Sequence, residues 1–91
     1  MIRITVEVEN ILGLHARAAA KLVHTATRFS SEIFLSREDA NQKIDSKSIL
    51  GILMVAAAKG TRLVFSLEGA DEVEAGEAIQ SLFKSKFGEK E

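Results

Sequence analysis

His15 and Arg17 lie one residue apart in a stretch, Asn10 to Ser31, that also holds Lys21, His24 and Arg28 but no Asp or Glu. An unperturbed imidazole titrates near ~6.5, so at neutral pH its bare nitrogen is available as a nucleophile. A guanidinium two positions away offers a fork of donors to an incoming anion. If a helix starts at His15, its unpaired N–H groups and positive dipole end attract the same anion. These residues form a candidate phosphate seat, in which one side chain accepts a phosphoryl group and later releases it without a metal. The plainer alternative is a histidine merely tolerated at a helix start. His24 has no comparable setting, and nine residues from His15 it does not match the i, i+4 spacing of a helical metal pair. It is expected to be an ordinary surface histidine, and neither a metal site nor a cofactor is expected.

A second cluster follows Ser48. Ile49, Leu50, Ile52, Leu53, Met54 and Val55 point in nearly every direction around a helix, and a helix laid on a sheet cannot bury them all. Ile52 and Val55 are expected to face the sheet, leaving Ile49, Leu50 and Leu53 as a docking surface. A short helix covered on both sides is the alternative. Ser48 is a candidate N-cap, as are Asp45 and Ser46. A phosphate on Ser48 would place about two negative charges beside the apolar patch and could act as an off-switch for an acidic partner.

The elements that position these residues are read from periodicity. Ile2 to Glu9 alternates apolar and polar residues, the pattern of a strand with one wet face. Ala16 to about Arg28 places Ala19, Leu22, Val23 and Ala26 on one helical stripe. Glu32 to Leu35 and a weaker Lys43-Ile44 segment form a hairpin around a polar turn. Ser48 to Ala58 is a second helix, stopped by Lys59 and Gly60. Thr61 to Leu67 is the fourth strand. Asp71, with Glu74 three residues on, resembles a capping box opening a third helix with Ala75, Ile79, Leu82 and Phe83 on its inner stripe. The order β-α-β-β-α-β-α predicts an α+β open-faced sandwich, a four-stranded mostly antiparallel sheet with three helices on one face.

Composition narrows the function classes. Ninety-one residues imply a single domain over 1–91, and 46% hydrophobic with 27% charged residues suits a chain that folds unaided. A net charge of −1 lacks the general positive field of a nucleic-acid or anionic-membrane binder. Without Trp or Tyr, the usual stacking platforms for single-stranded nucleic acid are missing, and packing is expected to claim the five Phe. No apolar run approaches the ~20 residues of a membrane span, and the absence of Cys suits a reducing compartment, so a cytoplasmic protein is expected. The acidic residues Asp71, Glu72, Glu74 and Glu77 gather on the third helix, opposite in sign to the first.

Gly13-Leu14-His15-Ala16-Arg17-Ala18-Ala19-Ala20, then Lys47-Ser48-Ile49-Leu50-Gly51 and Ala58-Lys59-Gly60, strongly resemble the histidine-containing phosphocarrier (HPr) family of the bacterial phosphotransferase system. The resemblance covers almost the whole chain. It implies that His15 takes phosphate from enzyme I, itself charged by phosphoenolpyruvate, and hands it to enzyme IIA components, with Arg17 steadying the phosphohistidine. It implies that Ser48 is a regulatory serine open to an HPr kinase/phosphorylase, and that Ala16, Ala20, Ile49, Leu50 and Leu53 dock partners. A carrier that must meet several partners is expected to be a monomer.

Three departures bear on partner affinity: Ala18 stands where most members carry Pro, the loop around Arg37 to Gln42 is about two residues longer, and His24 and Thr27 replace common lysines. Both Ala and Pro suit a first helical turn, so the helix start is expected to survive. Two other function classes remain open. One is a regulatory binding module modified only at Ser48, which retention of His15 argues against. The other is a small hydrolase on a similar layout, which would need a phosphate-cradling glycine loop that the sequence lacks.

Overall fold

The computed structural model describes residues 1–90; Glu91 lies outside the described residues. Four strands, β1 (Ile2–Glu7), β2 (Glu32–Arg37), β3 (Ile44–Asp45) and β4 (Arg62–Glu68), alternate with α1 (Ala16–Thr27), α2 (Ile49–Val55) and α3 (Glu72–Lys84). They form one sheet in the order β1-β4-β2-β3, every neighbouring pair antiparallel. Because β4 pairs on both sides, its register fixes the core. Leu67 faces Ile2 and Ile33, Phe65 faces Ile4 and Leu35, and Leu63 faces Val6. With side chains alternating across a strand, these residues share one sheet face.

That face is covered by the helices. α1 buries Ala18, Ala19, Leu22 and Ala26, with Val23 only half-buried. α2 buries Ile52 and Val55, and α3 buries Ala75, Gly76, Ile79 and Phe83 while Leu82 stays half-buried. Phe65, Phe83 and Phe87 stack edge-to-face through the centre at 5.7 and 4.8 Å. The packing claimed for the phenylalanines is complete for these three, whereas Phe34 lies half-buried beneath the Lys43 ammonium at 5.0 Å.

Element boundaries differ from the sequence expectation in places that have physical causes. β2 runs on to Arg37, and the paired part of β3 is Ile44–Asp45. α2 is shorter than the expected Ser48 to Ala58. It ends at Val55 because Ala56 turns left-handed (φ 51°, ψ 44°), sending Ala57 inward to a buried position where its carbonyl accepts from Leu14 N–H at 2.9 Å. Gly60 does not stop that helix; it belongs to the turn into β4, where its N–H donates to the Val8 carbonyl at 2.7 Å.

The capping box expected at α3 is also absent. Asp71 precedes the helix, but its side chain makes no cap bond. Its carboxylate instead accepts from the backbone N–H of Ser30 (2.9 Å) and Ser31 (3.0 Å) and from the Ser31 hydroxyl, tying the start of α3 to the chain leaving α1. These donors, the Ser31 hydroxyl first, hold the Asp71 carboxyl down at about 2.

A folded-state pKa below the unfolded value contributes stability above about pH 4 that is lost as pH falls toward 2. Denaturant midpoints measured from pH 7 to pH 2 should therefore fall more steeply for the native chain than for Asp71→Asn. The variant should be less stable at pH 7, and parallel curves would show that this carboxylate is not a source of acid sensitivity.

Candidate functional site

The loop between β1 and α1 is shaped by Gly13. Its φ of +67° is left-handed, and a Cβ there would stand 2.5 Å from the Ala57 carbonyl oxygen. Only glycine permits this approach without displacement of one chain or the other. Leu14 is buried behind it, and His15 then takes the N-cap position of α1 with an extended backbone (φ −71°, ψ 177°). Its carbonyl accepts the N–H of Ala19 at 2.8 Å. Its ring caps nothing, so the first N–H groups of α1 remain for another acceptor.

The ring is met by the far end of the chain. After α3, Lys86, Phe87 and Gly88 form a single tight turn with φ of 56°, 58° and 77°. Two consecutive non-glycine residues in the left-handed region cost on the order of 1–2 kcal/mol each. The turn is held because Phe87 is fully packed against Phe83 and its carbonyl accepts from Lys21 Nζ at 2.5 Å. The chain is thereby turned back so that Glu89 reaches the α1 N-terminus. One Glu89 oxygen lies 2.5 Å from His15 Nε2, and the other accepts from Asn10 Nδ2 at 3.0 Å. Asn10 is fully buried and also donates to the Gly13 carbonyl at 2.8 Å, which locks the side chain to the loop.

The His15 side chain is 27% exposed and that of Glu89 19%. The His15 hydrogen bond, helped by Asn10 and the charges of His15 and Lys21, holds the Glu89 carboxyl below the usual carboxylate range against the opposing effect of burial. With Nε2 occupied, Nδ1 is the ring nitrogen that has no hydrogen-bond partner among the described residues. His15, Arg17, Glu89, Lys90 and the exposed Ile11 and Leu12 line one open cavity of about 600 Å³. A ring nitrogen, free helix N–H groups and a guanidinium at such a cavity can together take up a phosphoryl group.

A family model described as the PTS HPr component phosphorylation site matches residues 2–85. The chain belongs to the HPr family of phosphocarrier proteins. It is 44% identical to a phosphocarrier protein HPr of Neisseria meningitidis, across the full length of both. Its fold superimposes on an HPr crystal structure from Thermoanaerobacter tengcongensis with a TM-score of 0.93, at 44% identity and full coverage of both chains. A second structure from that organism, titled an HPr dimer, aligns at 0.76 and 45% identity, covering 98% of this chain and all of the other. The sandwich expected of an HPr is thus the sandwich observed, with the phosphotransferase-system family membership that its motifs implied.

Of the residues singled out in the sequence, His15 and Arg17 share the cavity, while Ala16 and Ala20 lie exposed on α1. Ser48 is the N-cap of α2, its Oγ accepting from Gly51 N–H at 3.2 Å. Asp45 serves the preceding turn and Ser46 is buried. Ile49, Leu50 and Leu53 are exposed at 39%, 72% and 37%, while Ile52 and Val55 face inward as expected. None of the α2 residues lines the His15 cavity. His24 is exposed. The sequence reading missed Ile11, Leu12 and Met54 as exposed apolar residues, although all three flank motifs it had marked. It also missed Asn10 and Glu89, and the latter sits 74 residues from its partner.

His15→Ala should move the Glu89 pKa up toward the ordinary carboxylate range, read from the side-chain carboxyl carbon shift across a pH titration. Phe87→Ala should do the same by releasing the turn, at a stability cost of about 3–5 kcal/mol. A Glu89 titration unmoved in both variants would show that the contact does not form in solution.

Proposed function

We propose that this HPr-family chain is a phosphocarrier of the phosphotransferase system, accepting a phosphoryl group on His15 from enzyme I charged by phosphoenolpyruvate and passing it to enzyme IIA components. The observation that carries this reading is the Nδ1 of His15, without a hydrogen-bond partner among the described residues, at the N-terminus of α1 in one cavity with Arg17. Arg17 neutralises part of the phosphoryl charge, and the α1 N–H groups supply further donors. No turnover catalysis is required of the chain; it is itself the reactant and is restored when the phosphoryl group leaves.

The surface suits brief encounters. Leu50, Met54, Ile11 and Leu12 are exposed at 72%, 77%, 56% and 69%, and the acid-free first helix adds attraction for acidic partners. Charge complementarity with a small apolar centre favours fast association without long residence. Ala16, Ala20, Ile49, Leu50 and Leu53 are the proposed docking residues. One chain suffices for these roles, and a cytoplasmic location fits such partners. No helix among the described residues is long and apolar enough to cross a membrane.

Ser48 is proposed as a regulatory site for an HPr kinase/phosphorylase. It is half-buried as an N-cap, and its phosphate would lie beside the exposed Ile49 and Leu50, repelling acidic partners. A module regulated only at Ser48 has less support, because it leaves the His15 arrangement without a use.

Incubation with enzyme I and phosphoenolpyruvate should add one acid-labile phosphoryl group by intact-mass analysis, and His15→Ala should add none. An unmodified native chain beside an active enzyme I would overturn the carrier reading. Arg17→Glu should slow acceptance by about tenfold or more while leaving the fold intact. Ser48→Asp retains a good N-cap residue, so the melting temperature should stay within a few degrees of the native value, while enzyme I affinity falls by about tenfold.

A further inference from the structure

We propose that Glu89 is a positioning residue that fixes the tautomer of His15, holding the proton on Nε2 and keeping Nδ1 bare for nucleophilic attack. The inference deepens the carrier reading and rests on it for its consequence, but its central residue, Glu89, lies beyond the segment matched by the family model, residues 2–85. An ionised carboxylate only accepts hydrogen bonds. At 2.5 Å from Nε2 it requires a proton on that nitrogen, and a neutral ring then has its lone pair on Nδ1. The carboxylate is oriented by Asn10, whose Nδ2 is identified as the donor by its second bond, to the Gly13 carbonyl. The turn behind it is anchored by buried Phe87 and by Lys21, so Glu89 is held rather than merely nearby.

The proton matters for both directions of transfer. When Nδ1 forms a bond to phosphorus, the donor's P–N bond breaks and its electron pair leaves with the donor's nitrogen. Nε2 keeps its proton, so the product ring carries a positive charge facing the Glu89 carboxylate. When the phosphoryl group moves on, the N–P electron pair returns to Nδ1 and the departing group is a neutral imidazole. Loss of the Nε2 proton would make that leaving group an imidazolate, which is far poorer. Glu89 thereby keeps the phosphoryl group transferable as well as aiming the nucleophile, the role that the buried Asp performs for the base of a Ser-His-Asp triad.

The arrangement makes a distinctive prediction for Glu89→Gln. Asn10 donates to one carboxylate oxygen, so the glutamine must present its own oxygen there and turn its NH2 toward His15. Nε2 then has to accept, and the proton moves to Nδ1. Long-range proton–nitrogen correlation spectra of the neutral ring should show the Nε2–H form in the native chain, mostly the Nδ1–H form in Glu89→Gln, and an unchanged His24 in both. Phosphoramidate, a small P–N donor that needs no partner protein, should phosphorylate Glu89→Gln at least about tenfold more slowly than the native chain, with Glu89→Ala in between. An Nε2–H ring in Glu89→Gln, or a native rate of phosphorylation in that variant, would overturn the assignment. If the tautomer and the phosphoramidate rates change as expected while enzyme I leaves the native chain unmodified, the carrier reading fails and the role of Glu89 stands.

Discussion

The contact between Gly13 and the Ala57 carbonyl sets the geometry on which the site depends. A notional Cβ on Gly13 would lie 2.5 Å from that oxygen, so the loop before α1 and the chain leaving α2 approach too closely for any side chain to stand between them. Leu14 N–H seals the contact by donating to the same carbonyl at 2.9 Å. For Ala57 to reach that position α2 must stop at Val55, and Ala56 must accept a left-handed conformation that alanine disfavours. The same contact places His15 immediately after an immobilised residue, at the first position from which an α1 N-cap can face outward. The end of α2 and the approach to His15 thus meet at one contact.

α1 and α3 are joined by a second device, a carboxylate at each end. Asp71, before α3, binds Ser30 and Ser31 beyond the end of α1. Glu89, after α3, binds His15 at the start of α1. The two helices are thus packed antiparallel, with an acid from the α3 side engaging each end of α1. Only the Glu89 contact sets an acid against a basic side chain; Asp71 instead satisfies uncharged donors, two backbone N–H groups and a hydroxyl. Both carboxyl groups titrate low for the same reason, donors aimed at the ionised form.

The three longer strands, α1 and α3 were legible because each carries a regular period, two in the strands and 3.6 in the helices, and because the fold buries the faces those periods define. α2 was read from its apolar run and the two-residue β3 only weakly. That His15 and Arg17 share one cavity was legible because it depends on local spacing at a helix start. The end of α2 was not, since Lys59-Gly60 is a strong local stop signal and the true stop is imposed by packing on a loop more than forty residues away. Asp71 offered a sound capping pattern that lost to two backbone donors and a hydroxyl on a neighbouring segment. Glu89 was hidden for a related reason: an acid near a chain end has no local pattern, and the turn that delivers it requires Lys86 and Phe87 in left-handed conformations that propensity argues against. The burial of Phe87 against Phe83 and the bond from Lys21 to its carbonyl hold that turn.

These misses share a feature that bears on how the site works. A phosphoryl group bound to imidazole has to be stable against water and yet ready to leave, and the two demands conflict within any arrangement made from one local motif. In the proposed carrier, the motif from Gly13 to Arg17 would supply attraction for the anion. Glu89 at the remote end would be a negative group on the Nε2 side of the ring, repelling the anion slightly but preserving the proton that makes the ring a good leaving group. Under that reading, attraction and release lie on segments that meet only in the folded chain, and a closed C-terminal turn becomes a condition for reactivity at a residue near the N-terminus.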